Sequence, residues 1–142
     1  MNTFARAIMT CTVLLFGATG LVQAQARDVR VAVVMDGPAG RSVFPPEAIE
    51  REVRNVVGTD LRIVLPESKR FVGDWSRAGV NAALDRALGD REVDLVLALG
   101  LLASHESAQR AVLPRPVIAP LVIDPTLQRF PLTQGRSGRR NF

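Results

Sequence analysis

The chain has 142 residues, with 18 basic and 14 acidic side chains for a formal net charge of +4, and it holds one histidine, one cysteine, one tryptophan and no tyrosine. A nucleic-acid footprint needs a basic face with interleaved aromatics. The missing tyrosines, and a basic excess gathered at Arg129, Arg136, Arg139 and Arg140, argue against one. Zinc and iron sites collect several His or Cys ligands, more than His105 and Cys11 supply, so no metal site and no cofactor are expected.

Residues 1–26, MNTFARAIMTCTVLLFGATGLVQAQA, read as a secretory leader. Arg6 gives a positive start, 8–22 is mostly apolar, and Ala24, Gln25 and Ala26 supply a small-residue cleavage site near Ala26. Thr10, Thr12, Gly17, Thr19 and Gly20 interrupt the apolar run, which is shorter than the ~20 residues of a bilayer-spanning helix. Cys11 lies inside this leader, so the exported part has no cysteine to form a disulfide. A lipid anchor at Cys11 is disfavoured by Thr10, which stands where a small Ala or Gly is wanted. The expected product is a soluble periplasmic protein of ~116 residues, enough for one small domain.

The next segment, RDVRVAVVMDGP, carries a nearly continuous β-branched run closed by Asp36, Gly37 and Pro38. Runs apolar on both faces suit a buried parallel strand. In FPPEAIEREVRNVVG, Pro45 and Pro46 fit a first helical turn, and Ile49, Val53, Val56 and Val57 recur at helical spacing up to Gly58. LRIVLPE is a second strand, closed by Pro66. GDWSRAGVNAALDRALGD predicts a helix with the stripe Val80, Ala83, Leu84, Ala87 and Leu88, capped by Asp74 or Ser76 and ended by Gly89. VDLVLALG is a third strand, followed by a helix over about 102–112. RPVIAPLVID is a fourth, and its prolines Pro116 and Pro120 suggest an edge or a short strand.

Strands alternating with helices at this spacing imply right-handed crossovers and an α/β fold: a three-layer, doubly wound parallel sheet. The domain spans 27–128, and 129–142 is a basic tail or the start of a linker. Ligands bind such sheets at the carboxyl ends of the strands, where strand order reverses, which directs attention to the loops 36–44, 66–74, 100–105 and 124–127.

Enzymatic chemistry is not expected from these loops. Ser104 and His105 are sequence neighbours, and neighbours on a helix point about 100° apart, away from the facing geometry of a nucleophile and its base. The glycine-framed nucleophile elbow is absent, and DGPAGR lacks the third glycine of a dinucleotide fingerprint. Asp36, Asp74 and Asp124 suit capping and turn roles better than convergence on a hard cation. What remains is Gly100, which permits a tight strand-to-helix turn, and the free N–H groups at the start of the following helix, where an anionic ligand group would dock. Ser104 is expected as that helix's N-cap, a ligand contact, or both. His105 is expected to cap the helix or lie on the surface, or to add a hydrogen bond to a ligand. Phe71 and Trp75 are expected either as an apolar wall for a ligand or as ordinary packing at the sheet edge.

The segments VAVVMDGP, PESKRFVGDWSRAGVNAALDRAL, VDLVLALGLLASHESA and RPVIAPLVIDPTLQ resemble the N-terminal lobe of periplasmic substrate-binding-like proteins of ABC transport systems, over about residues 29–128. The same segments resemble a group of exported bacterial proteins that occur with outer-membrane efflux channels. This resemblance implies a flavodoxin-like lobe of two-lobed, non-catalytic architecture that closes on a small molecule and hands it to membrane transporter or efflux components. By position it assigns ligand contacts to Asp36, Gly37, Gly100, Ser104 and Asp124. It also implies a second lobe after SGRRNF, so the chain is expected to be a fragment, half of such a receptor. The alternative expectation is a flavodoxin-like accessory or signalling domain of a membrane transport or efflux complex, binding protein rather than a small molecule.

Overall fold

A computed structural model describes residues 27–38, 46–57 and 61–142. The leader expected over 1–26, most of the first strand-end loop with Pro45, and Gly58 lie outside the described residues.

The β-branched run forms β1 (Arg27–Met35), and Val31, Ala32, Val33 and Val34 are at most 4% exposed, as a strand covered on both faces requires. Helix α1 (Pro46–Val57) begins at a proline, whose fixed φ and missing N–H are harmless in a first turn, and packs along β2 (Leu61–Val64).

The second strand is interrupted rather than ended by Pro66. After β2 the chain makes a 3₁₀ turn over Glu67–Lys69 and resumes as β3 (Arg70–Val72). Both pieces pair in parallel with the same side of β1: Arg30 stands opposite Val64, and Val33 opposite Arg70. Five residues therefore intervene on this side where only two intervene on β1, and the turn absorbs the excess.

Helix α2 (Arg77–Gly89) follows, then β4 (Leu95–Leu99), α3 (Leu101–Gln109) and the two-residue β5 (Val117–Ile118). Strand order is β2-β1-β4-β5 with β3 also on β1, all parallel, and helices flank the sheet in a flavodoxin-like three-layer arrangement. The stripe Val80, Ala83, Leu84, Ala87 and Leu88 is wholly buried and forms the main core with Ala32, Val34, Val96, Ala98, Ala103 and Val117. On the other face, Val31, Val33 and Ile63 are buried, Leu95, Leu97 and Leu99 are half-buried and Ile118 is 51% exposed, so cover thins from β2 towards the short edge strand β5.

Helix α3 stops at Gln109 rather than near Val112. Arg110 is already extended, and Pro114 disfavours a helical conformation at Leu113. The basic tail folds back on the domain. It makes a small hairpin, β6 (Leu132–Thr133) and β7 (Arg136–Ser137), through Gln134 and Gly135 at positive φ. Beyond it, the Val117 N–H donates to the Asn141 carbonyl (2.8 Å), Asn141 donates to the Leu113 carbonyl (2.8 Å), and Phe142 packs on the core and lies 5.7 Å from the Phe130 ring. No helix among the described residues is long and apolar enough to cross a membrane.

Candidate functional site at the strand carboxyl ends

The chain leaves β1 towards β2 on one side and returns past it to β4 on the other, so strand order reverses between β1 and β4. The residues that follow these two strands, Asp36 and Gly100, meet at that crevice. Asp36 is 8% exposed, and its carboxylate accepts from the Leu102 N–H (3.0 Å) and the Ala103 N–H (2.7 Å). Two of the free donors at the start of α3 are thus taken by a carboxylate of the chain itself, which sets a negative charge against the macrodipole's positive end. An external anion has no such vacancy to fill at these two N–H groups.

Gly100 is the N-cap of α3, with extended backbone (φ −175°), so its identity is set by space rather than by torsion. A Cβ there would bring the Asp36 carboxylate carbon and both its oxygens within 2.6 Å, inside any tolerable contact. The same logic holds at Gly37, where a Cβ would lie within 2.6 Å of three atoms of the Trp75 indole. Gly37 is buried beneath that ring, and the Trp75 main-chain N–H donates to the Asp36 carbonyl (2.8 Å).

Trp75 holds φ at +66° and remains 63% exposed. A left-handed conformation costs a bulky L-residue about 1–2 kcal/mol. It is sustained by the backbone bond to Asp36, by the seat on Gly37, and by the next residues: the Asp74 carboxylate accepts from the Ser76 hydroxyl (2.5 Å) and the Ser76 N–H (3.0 Å), and the Ser76 hydroxyl accepts from the Gly79 N–H (3.0 Å) as N-cap of α2. The bonds from Ser76 hold the Asp74 carboxyl below its ordinary value of 3.8. Both proposed caps therefore act together. Phe71 does not join Trp75 in a wall: it lies in β3, half-buried against the core, with the Arg86 guanidinium 5.5 Å from its ring centre.

Ser104 is fully buried and is not the N-cap of α3. Its hydroxyl donates to the Ala98 carbonyl (3.2 Å), which leaves it no surface for a ligand. His105 is half-buried, and its Nδ1 donates to the Gln128 carbonyl (3.1 Å), tying α3 to the segment after β5. Ser104 and His105 thus bond to different carbonyls and not to each other. Asp124 turns into its own loop, accepting from the Thr126 and Leu127 N–H groups (both 2.8 Å), while Gln128 accepts from the Ile123 and Asp124 N–H groups (2.8 and 3.1 Å). Among the described residues no group of three or more His, Cys, Asp or Glu is placed to hold a metal ion.

Of the six residues singled out from sequence, the structure brings Asp36, Gly37 and Gly100 together. It places Ser104 in the core, and it ties both His105 and Asp124 to Gln128. At this rim of the sheet several apolar side chains are exposed: Val72 at the end of β3, and Trp75, Leu101, Ile123 and Leu127 on the segments that follow β3, β4 and β5, are 37–82% exposed.

Sequence reasoning missed the polar seam behind this rim. On α2, Arg77, Asn81 and Asp85 are spaced one turn apart, and they face Glu106 and Arg110 on α3. Glu106, 5% exposed, accepts from Arg77 (2.6 Å) and Asn81 (2.7 Å), and Arg110 donates to Asp85 (2.6 Å) and Asn81 (3.0 Å). Burial pushes the Glu106 carboxyl upwards, but its two hydrogen bonds and the Arg77 charge together bring it below its ordinary value. The i, i+4 polar spacing on α2 was the available signal.

No protein-family model matches this chain, and no curated protein or solved structure is detectably similar to it.

Proposed function

We propose that the chain is a non-catalytic ligand-binding α/β lobe of the kind used by substrate-binding proteins of ABC transport systems, working in the periplasm, and that its ligand offers Trp75 a flat, uncharged face. Trp75 is the observation that carries this reading. A bulky residue held at positive φ is retained with 63% of its surface in water, at the end of the sheet where such folds bind ligands. Covering roughly 150 Å² of indole returns about 4 kcal/mol before ordering costs. The preference for an uncharged ligand follows from Asp36, whose carboxylate already occupies two of the α3 donors that would otherwise attract an anion and would repel one nearby.

A second reading, an accessory domain that binds a protein partner, is favoured by the exposed Leu101, Ile123 and Leu127 on the same rim. Thermal-shift screening separates the two. Monosaccharides, aromatic amino acids and nucleosides would be tested on the parent and on Trp75→Gly. Stabilisation of the parent by one class, lost in the variant, supports the small-molecule lobe. Indifference to every compound, together with co-purification of transport or efflux components through the same residues, supports the accessory domain.

A further inference from the structure

Helix α3 starts at the carboxyl end of β4 and runs back along the sheet, so its C-cap Arg110 lies at the opposite end from Trp75. There an open cleft of about 390 Å³ lies between the α3 exit and the tail, within the size range of small-molecule sites, with Arg110, Val112, Leu113, Gly138, Arg139 and Arg140 in its wall. Three of its lining residues are arginines and none is acidic.

These arginines differ in how far their charges are answered. Arg110 is held by Asp85 and Asn81. Arg139 donates to the Arg110 main-chain carbonyl, which covers the negative end of α3 and uses one of its five donors. Among the described residues neither Arg139 nor Arg140 forms an ion pair. Two unanswered unit charges thus stand against about half a negative charge at the helix end. The adjoining wall is apolar, with Val112 76% exposed.

We propose that this cleft binds a small organic anion, with a carboxylate or phosphate-ester head on Arg139 and Arg140 and a short apolar body against Val112. An arginine serving only to cap α3 accounts for Arg139, but not for Arg140 or for the exposed valine beside it.

The test is amide NMR of the purified protein titrated with hexyl phosphate, hexanoate and neutral hexanol. Saturable shifts at Leu113 and Gly138 with either anion, and none with hexanol, are expected. Hexyl phosphate alone would assign a phosphate ester, and response to both a general oxyanion site. Arg140 is exposed and its side chain forms no ion pair among the described residues, and Arg140→Gln should weaken binding at least about tenfold, as loss of a charge-assisted bond does. Arg139→Lys should keep more affinity than Arg139→Gln. Amides that ignore both anions, or respond equally in Arg140→Gln, would overturn the proposal.

Discussion

Replacing Gly100 by alanine isolates the central structural device of the strand-end crevice. The backbone at Gly100 is extended and accepts any residue, so the only penalty is the overlap of the new Cβ with the Asp36 carboxylate. All three atoms it meets belong to the Asp36 side chain, which must turn away from the Leu102 and Ala103 N–H groups. Two hydrogen bonds to a charged acceptor at a helix start are lost, worth about 1.5 kcal/mol each and partly regained from water, so a destabilisation of about 2–3 kcal/mol is expected. That lowers Tm by on the order of 10 °C for a domain of this size. Urea unfolding followed by far-UV circular dichroism measures it for Gly100→Ala, Asp36→Ala and the double variant. Since both substitutions remove the same two bonds, Gly100→Ala should cost under about 0.5 kcal/mol in the Asp36→Ala background. Equal cost in both backgrounds would refute the reasoning.

Three other outcomes follow from the same geometry. Ser76→Ala removes the cap on Gly79 and the partner of Asp74, and should cost about 1 kcal/mol by the same assay. Arg77 is 72% exposed along its side chain, yet Arg77→Ala leaves the buried Glu106 with Asn81 alone. It should cost about 1–3 kcal/mol, against under about 0.5 for an ordinary surface arginine, and a cost at the surface level would contradict the seam. Lys69 donates to Asp90 (2.8 Å) and Glu92 (2.7 Å), which raises its own pKa from 10.5 and lowers theirs from 3.8 and 4.5. The carboxylates contribute stability above their unfolded values and lose it as pH falls through the lower folded ones. The lysine contributes below 10.5 and loses it as pH rises through its higher folded value. Lys69→Met should therefore flatten urea midpoints against pH both below about 4.5 and above about 10.5, with unchanged slopes counting against the bridge.

Much of the scaffold was legible because its signals are local. The β-branched run of β1, the α2 stripe from Val80 to Leu88 and the Ser76 cap each follow from spacing or from one side chain's reach. Pro116 and Pro120 marked β5 as short for the same reason. The interruption between β2 and β3 was hidden, because Pro66 ends a strand equally well whether or not the chain rejoins its partner three residues after the 3₁₀ turn begins. Asp36 and Gly100 were both marked as strand-end residues, but 64 positions separate them, and nothing local reveals that one carboxylate fills the helix start expected to be open. Ser104 was misread for a related reason: N-cap chemistry suits a serine near a helix start, but Gly100 lies first and Asp36 supplies the oxygen. The tail's return to Leu113 and Val117 likewise depends on contacts far apart in sequence.

Trp75 is the chain's only tryptophan, and there is no tyrosine, so intrinsic emission reports on the proposed ligand surface alone. The most direct measurement is that emission, titrated with neutral ring compounds and with simple carboxylates and phosphates. The account predicts a saturable change in intensity and wavelength with at least one neutral ring compound, and none from the simple anions. A Trp75 signal that responds only to the anions, or stays in water-exposed form through the whole series, would contradict it.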